Sequence, residues 1–273
     1  MKDGSSVDNV RTQSQAGGLT DAAFWNNYWG RFSLPATIDE RHSFDRALAG
    51  ALRDLLGRAS GSALEVGCAP GRWLAFLASE FGLLVSGIEY TKDGAEATRR
   101  NLTMLGVRFD RVDEADFFAM TPRPIYNVVV SFGFVEHFTD TRAVIERHAE
   151  WVRPGGLLVL GVPNFTGIHG WMQKFLDPEI LERHNLTIMH ASRLAQFGPE
   201  VGLVTESASY LGSLEPSLPI ARQGVRSAPE FLAKAALRAM RIIRRAPLLG
   251  NALDGWNGPR VSSYILASYR KPA

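Results

Sequence analysis

One pattern limits the fold more than any other. From Ala63 onward, short β-rich runs alternate with stretches of helical period, and the first run stops at a glycine-rich turn. That alternation predicts βαβ units and a mostly parallel sheet with helices on both faces. The runs are Ala63-Leu64-Glu65-Val66, then Leu83 to Ile88, Val107 to Val112, Tyr126 to Ser131, Leu157 to Val162, Leu203 to Tyr210 and Val261 to Tyr269. Thr91 reads as the cap of a helix through Leu105 that ends at Gly106. Asp140 to Val152 reads as another helix, closed by an Arg153-Pro154-Gly155-Gly156 turn. A helical pattern over Ser43 to Ala59 precedes the first strand and is expected to pack on the sheet.

Composition sets the class. A hydrophobic share of 45% and a charged share of 21% over 273 residues are those of a globular chain with a sizeable core. The formal net charge of +2 is too mild to imply a nucleic-acid partner, and none is expected. A single cysteine, Cys68, excludes an internal disulfide and disfavours a cysteine-based zinc site. The start of the chain is polar, without the apolar run of a secretory signal, and no segment is apolar enough to span a bilayer. A cytoplasmic location is the expectation. Nothing in the sequence sets an oligomeric state.

The turn Gly67-Cys68-Ala69-Pro70-Gly71-Arg72 lies where doubly wound sheets bind ligands, between a first strand and a first helix. The dinucleotide fingerprint needs glycines at three set positions, the second and third of which hold Ala69 and the bulky Arg72 here, and the Lys-Ser/Thr of a phosphate-binding loop is absent. Glu89 ends the second strand, placed to accept hydrogen bonds from ribose hydroxyls. Asp116 follows the third strand in Glu114-Ala115-Asp116-Phe117-Phe118, and Ser131-Phe132-Gly133-Phe134-Val135-Glu136-His137 follows the fourth.

With those residues in place, the stretch from Ala63 to Asn164 resembles the class I, Rossmann-like S-adenosylmethionine-dependent methyltransferases. The resemblance implies an α/β, doubly wound, mostly parallel seven-stranded sheet with an antiparallel last strand. The implied cofactor is S-adenosyl-L-methionine, held by Glu65, Gly67, Cys68, Ala69, Gly71, Glu89, Tyr90, Asp116, Phe117 and Ser131. The chain is expected to divide into a lead-in over 1–40, which could act as a lid, and a class I methyltransferase domain over 41–273 with insertions near 164–190 and 212–258.

The expected reaction is O-methylation of a small molecule or a glycan-type acceptor. Alternatives are a lipid or quinone acceptor at a membrane surface, a catalytically silent cofactor-binding module, and an NAD-dependent oxidoreductase. A hydroxyl acceptor needs a base, for which His137 is the leading candidate and His169 and His184 are substitutes. His169, Trp171 and His184 in the insertion are expected to contact the acceptor. Glu136-His137 also resembles the ubiquinone-pathway O-methyltransferases, in which an earlier glutamate completes a divalent-metal site. Gly133 stands at that position here, so no metal is expected. The aromatic run Phe24 to Trp29 could close over the cofactor, with Tyr28 and Trp29 against its methionine part. The basic amphipathic stretch 229–245 fits either a plain cap helix or contact with a membrane surface.

Overall fold

The computed structural model describes residues 16–29, 33–57, 59–222, 224, 227–246 and 252–273. Most of the polar lead-in, residues 1–15, lies outside the described residues. Seven strands form one sheet: β1 (Ser62–Val66), β2 (Leu84–Glu89), β3 (Phe109–Glu114), β4 (Tyr126–Phe132), β5 (Val152–Pro163), β6 (Val204–Ser213) and β7 (Ser262–Arg270). Their order is β3-β2-β1-β4-β5-β7-β6. The β1–β2, β1–β4, β2–β3 and β4–β5 pairings are parallel, while β7 runs antiparallel to both β5 and β6. The fold is the doubly wound α/β sheet with an antiparallel last strand.

Strand alternation splits the core into two faces. On one, Ala63, Val85, Val128, Val130 and Val159 meet α2 (Ser43–Leu56), α3 (Arg72–Phe81) and α4 (Lys92–Met104) through Leu48, Leu52, Leu74, Leu77 and Leu102. On the other, Leu64, Val129, Leu158 and Leu160 meet α5 (Thr141–Ala149) and α8 (Ala191–Glu200) through Ile145, Leu194 and Phe197. Such strands read as near-continuous apolar runs because helices cover both sides.

Local chemistry sets the helix starts. Thr91 accepts the Gly94 amide at 3.3 Å, and Asp140 accepts that of Ala143 at 3.1 Å. One boundary differs from the sequence expectation. The helix begun by Asp140 stops at Ala149, and Arg153 to Gly156 belongs to the start of β5 rather than to a free turn. Val152 pairs with Tyr126, and the ladder then jumps to Leu157 opposite Val128. The excursion is held from the far side, where Gly155 N–H donates to the Lys271 carbonyl and Lys271 N–H to that of Gly156.

Between β5 and α8 lie α6 (Ile168–Leu176), α7 (Pro178–Glu182) and a single tight turn at Leu186–Ile188. Between β6 and β7 lies α9 (Ala228–Arg245). One face of α9 packs Ala233, Leu237 and Met240 against Met172 and Leu176 of α6, a small core of its own. At the other end, α1 (Ala22–Trp29) follows a lead-in pinned to the body through a bridge between Gly18 and Phe138.

Candidate active site

The carboxyl ends of β1, β2, β3 and β4 gather the residues singled out in the sequence. β1 delivers Glu65 beside the turn that opens α3. Gly67 and Gly71 have φ of +72° and +85°, a region that favours glycine. At Gly67 a side chain would also meet the Phe134 ring, 2.9 Å from an ideal Cβ. The Gly67 and Cys68 amides both point at the Ile88 carbonyl, at 2.9 and 3.3 Å, which fixes the turn on the end of β2. Arg72 turns away from the loop to pair with Asp45 at 3.0 Å.

Glu65 is buried, and its Oε2 has no hydrogen-bond partner. Burial pushes its pKa well above the usual carboxylate value, although the Arg72 charge and the Leu74 amide oppose the shift. A carboxyl in that condition calls for a cationic donor. Glu89 is also buried; its Oε1 accepts from the Thr91 amide at 3.0 Å and the Thr91 hydroxyl at 2.9 Å. Burial raises its pKa, against amides that include that of Ala69. Tyr90, next to it, stands half-exposed. Asp116 takes the Phe118 amide at 2.9 Å and fixes the turn after β3. The Phe117 ring packs inward between Phe134, His148 and Trp151, which leaves its backbone, not its ring, for a ligand. Cys68 is buried with Sγ 4.0 Å from the Thr98 hydroxyl. Ser131, at the end of β4, is buried with Oγ unpartnered.

Beyond β4 the chain makes a tight turn at Val135–His137. His137 is buried and its Nδ1 lies 2.8 Å from the Arg183 carbonyl. A carbonyl only accepts, so Nδ1 carries the proton and Nε2 keeps its lone pair. Burial holds the imidazole neutral, with its pKa lowered to about 3. Glu136, wholly buried, has an Oε2 without a partner and a pKa raised by burial to about 8. His184 comes in from the insertion, its ring centroid 4.6 Å from that of His137. Its Nδ1 donates to the Ile180 carbonyl at 2.6 Å.

The lead-in closes this corner. Leu19 N–H donates to the His137 carbonyl at 2.8 Å. Trp25 sets its ring edge-on to His137 with centroids 5.0 Å apart, and Arg183 lies over Phe24. The aromatic run thus covers the strand-4 turn through Trp25, with Tyr28 and Trp29 packed on Trp25 itself.

The remaining insertion residues go elsewhere. His169 is completely buried beside Glu215, and burial lowers its pKa to about 4. Glu215 in turn accepts from the Ser43 hydroxyl and the Phe44 amide at the start of α2. Trp171 is half-exposed and touches Phe175. Of the three insertion residues, only His184 therefore joins His137.

Tyr264, at the start of β7, escaped the sequence reading. It is buried, its ring and hydroxyl fill the space above Gly161, and it feels the charges of both Glu65 and Glu136, so it stands between the two halves of the site. No local pattern marks it; only the placement of β7 beside β5 brings it there.

A family model described as "Methyltransferase domain" matches residues 40–208, more than half of the chain. A ubiquinone biosynthesis O-methyltransferase of Pectobacterium atrosepticum is 28% identical over 119 residues, 43% of this chain and 48% of that protein. One of Rhodopseudomonas palustris (strain BisB18) is 24% identical over 181 residues, 58% of this chain and 66% of that protein. The chain thus spans about half to two thirds of the length of the curated relatives it matches. Among solved structures, the geranyl diphosphate C-methyltransferase of Streptomyces coelicolor A3(2) superposes with a TM-score of 0.55 at 15% identity, covering 82% of this chain and 77% of that one. A SAM dependent methyltransferase of Archaeoglobus fulgidus gives 0.52 at 16%, covering 82% and 93%. At such identities the likeness shows the fold.

Proposed function

The chain belongs to the methyltransferase-domain family, whose methyl donor is S-adenosylmethionine, and on that premise we propose that it methylates an oxygen atom of a small molecule or glycan-type acceptor. The bound cofactor supplies an activated methyl group on a sulfonium. The observation that carries the reading is the buried, unpartnered Glu65 Oε2 beside a turn of left-handed glycines. A cationic amino group is the partner this carboxyl lacks. Glu89 offers the carboxylate for ribose hydroxyls, and Asp116 with the Phe117 amide offers an edge for adenine. Trp25 against His137, Phe134 beside Gly67 and Tyr264 over Gly161 place aromatic rings around the two halves of the site. His137 presents a neutral Nε2 to a hydroxyl acceptor, with its ring held by the Arg183 carbonyl.

One observation favours the lipid or quinone acceptor as a second reading. α9 exposes Phe231, Leu232 and Ile242 together with Arg238 and Arg241, the make-up of a helix that lies on an anionic bilayer. The names of the curated relatives fit the same reading. Among the described residues no helix is long and apolar enough to cross a membrane. Co-sedimentation with vesicles containing anionic lipid distinguishes the two readings.

The test is calorimetric. S-adenosylmethionine binds the wild type and NAD does not; Glu89→Ala and Asp116→Ala each weaken that binding by about tenfold or more, the loss of one to two charged hydrogen bonds. His137→Ala spares binding and slows release of S-adenosylhomocysteine. Binding of NAD instead would overturn the proposal, and an absence of turnover over a broad acceptor screen would leave the silent module in its place.

A further inference from the structure

We propose that Glu136, His137 and His184 form a site for a divalent first-row transition ion, completed by the insertion that follows β5. The three side chains come from two separate parts of the chain, the strand-4 turn and the segment after α7, yet each offers a ligand atom within 4.8 Å of the others. One of these approaches, His137 Nε2 to Glu136 Oε1, is 3.8 Å. Coordination would draw the atoms together by roughly an ångström, since an ion holds such ligands at about 2.0–2.2 Å.

The surroundings are those of a ligand set rather than of a chance cluster. Both imidazoles spend Nδ1–H on a backbone carbonyl, His137 on Arg183 and His184 on Ile180. That arrangement fixes the tautomer and leaves both Nε2 lone pairs free, as in metal-binding histidines. Glu136 brings a fully buried Oε2 with no hydrogen-bond partner. An unpaired buried carboxyl oxygen is costly, and an ion would satisfy it. The backbone locks the geometry further, because the Asn185 amide donates to the Glu136 carbonyl at 2.6 Å. Partly exposed His184 leaves a way in from solvent. Two imidazoles and one carboxylate suit Zn²⁺, Co²⁺ or Mn²⁺ better than the all-oxygen preference of Mg²⁺.

This assignment replaces the sequence expectation of no metal. Gly133 does leave the strand-4 turn short of a ligand, but His184, 47 residues downstream of His137, supplies one that spacing along the chain could not suggest. An ion on His137 Nε2 takes up the lone pair that the proposed base would use, so in a metal-loaded protein His137 would act as a ligand and the ion's open positions would take the acceptor oxygen; that extension rests on the functional reading, whereas the ion site does not.

The experiment titrates metal-stripped, tag-free protein with Co²⁺, in the absence of cofactor and acceptor. The expected result is one equivalent bound with visible d–d absorption. His184→Ala and Glu136→Gln should each weaken binding at least about tenfold, while His190→Ala, at an exposed histidine nearby, should not. A second readout needs no variant: proton NMR of the wild-type Co²⁺ complex should show two shifted, exchangeable imidazole Nδ1–H signals, one from each carbonyl-anchored ring. No stoichiometric binding, an unchanged affinity in a folded His184→Ala protein, or a complex lacking the pair of imidazole signals would each overturn the site. Cofactor calorimetry on the same samples separates this outcome from failure of the methyltransferase reading, which does not depend on Co²⁺.

Discussion

Glu136 is the most consequential single residue, because it is wholly buried with one oxygen unpartnered. In the metal-free protein its carboxyl titrates at about 8 instead of the ordinary 4.5. The folded chain therefore keeps a proton that the unfolded chain has lost, and stability falls as pH rises through that interval. His137 works in the opposite sense lower down: its pKa of about 3 against an ordinary 6.5 means that stability rises from pH 3 toward 6.5. Comparing wild type with Glu136→Gln isolates the carboxyl. In chelator, urea midpoints at pH 5 and pH 8 should show the wild type losing on the order of 2–3 kcal/mol relative to the variant. A parallel pH dependence would show that the carboxyl is not held protonated. The residues legible in the sequence were those at strand ends, Glu65, Glu89 and Asp116, because the end of a strand is a position that period and turn chemistry define. Trp25 and Tyr264 were not legible in their roles, since each reaches the site only through contacts distant in the chain.

At the scale of elements, the start of α4 shows how a local signal can carry two duties. Thr91 caps the helix and, with its own amide and hydroxyl, holds the Glu89 carboxylate. Thr91→Ala should cost about 1 kcal/mol from the cap, or roughly 2–4 °C in Tm for a chain of this size. It should also weaken S-adenosylmethionine binding severalfold, because Glu89 loses its orientation. Thermal melts and calorimetry on the one variant check both; a lowered Tm with unchanged affinity would show that Thr91 only caps. Helix starts of this kind were readable because capping is decided by a few adjacent residues. The extent of β5 was not. Its first residues look like a turn, and they become strand only because Lys271, at the far end of the chain, pairs with Gly155 and Gly156.

For the whole molecule, alternation along the chain foretold the parallel sheet, since each strand and helix needs a covering partner. It could not assign which histidine of the insertion faces the site. His169 and His184 are equally histidine-like in sequence, but α6 turns one beneath the cap toward Glu215 while the end of α7 delivers the other to His137. The segment after α7 thus supplies a side chain to the strand-4 turn.

The lead-in adds a thermodynamic link between distant parts of the chain. Gly18 bridges Phe138, Leu19 donates to the His137 carbonyl, and Thr139 donates to Gly17. The turn that bears His137 is therefore zipped to a short segment near the start of the chain. Opening that zipper and loosening the turn are one equilibrium, so whatever tightens the turn must also close the zipper. The Leu19 amide becomes a remote gauge of occupancy: its hydrogen exchange should slow when the site is filled, by the same factor that binding favours the closed form. Exchange measured by mass spectrometry on the peptide spanning residues 16–29 would read it, and equal rates with and without ligand would show that the two ends move independently.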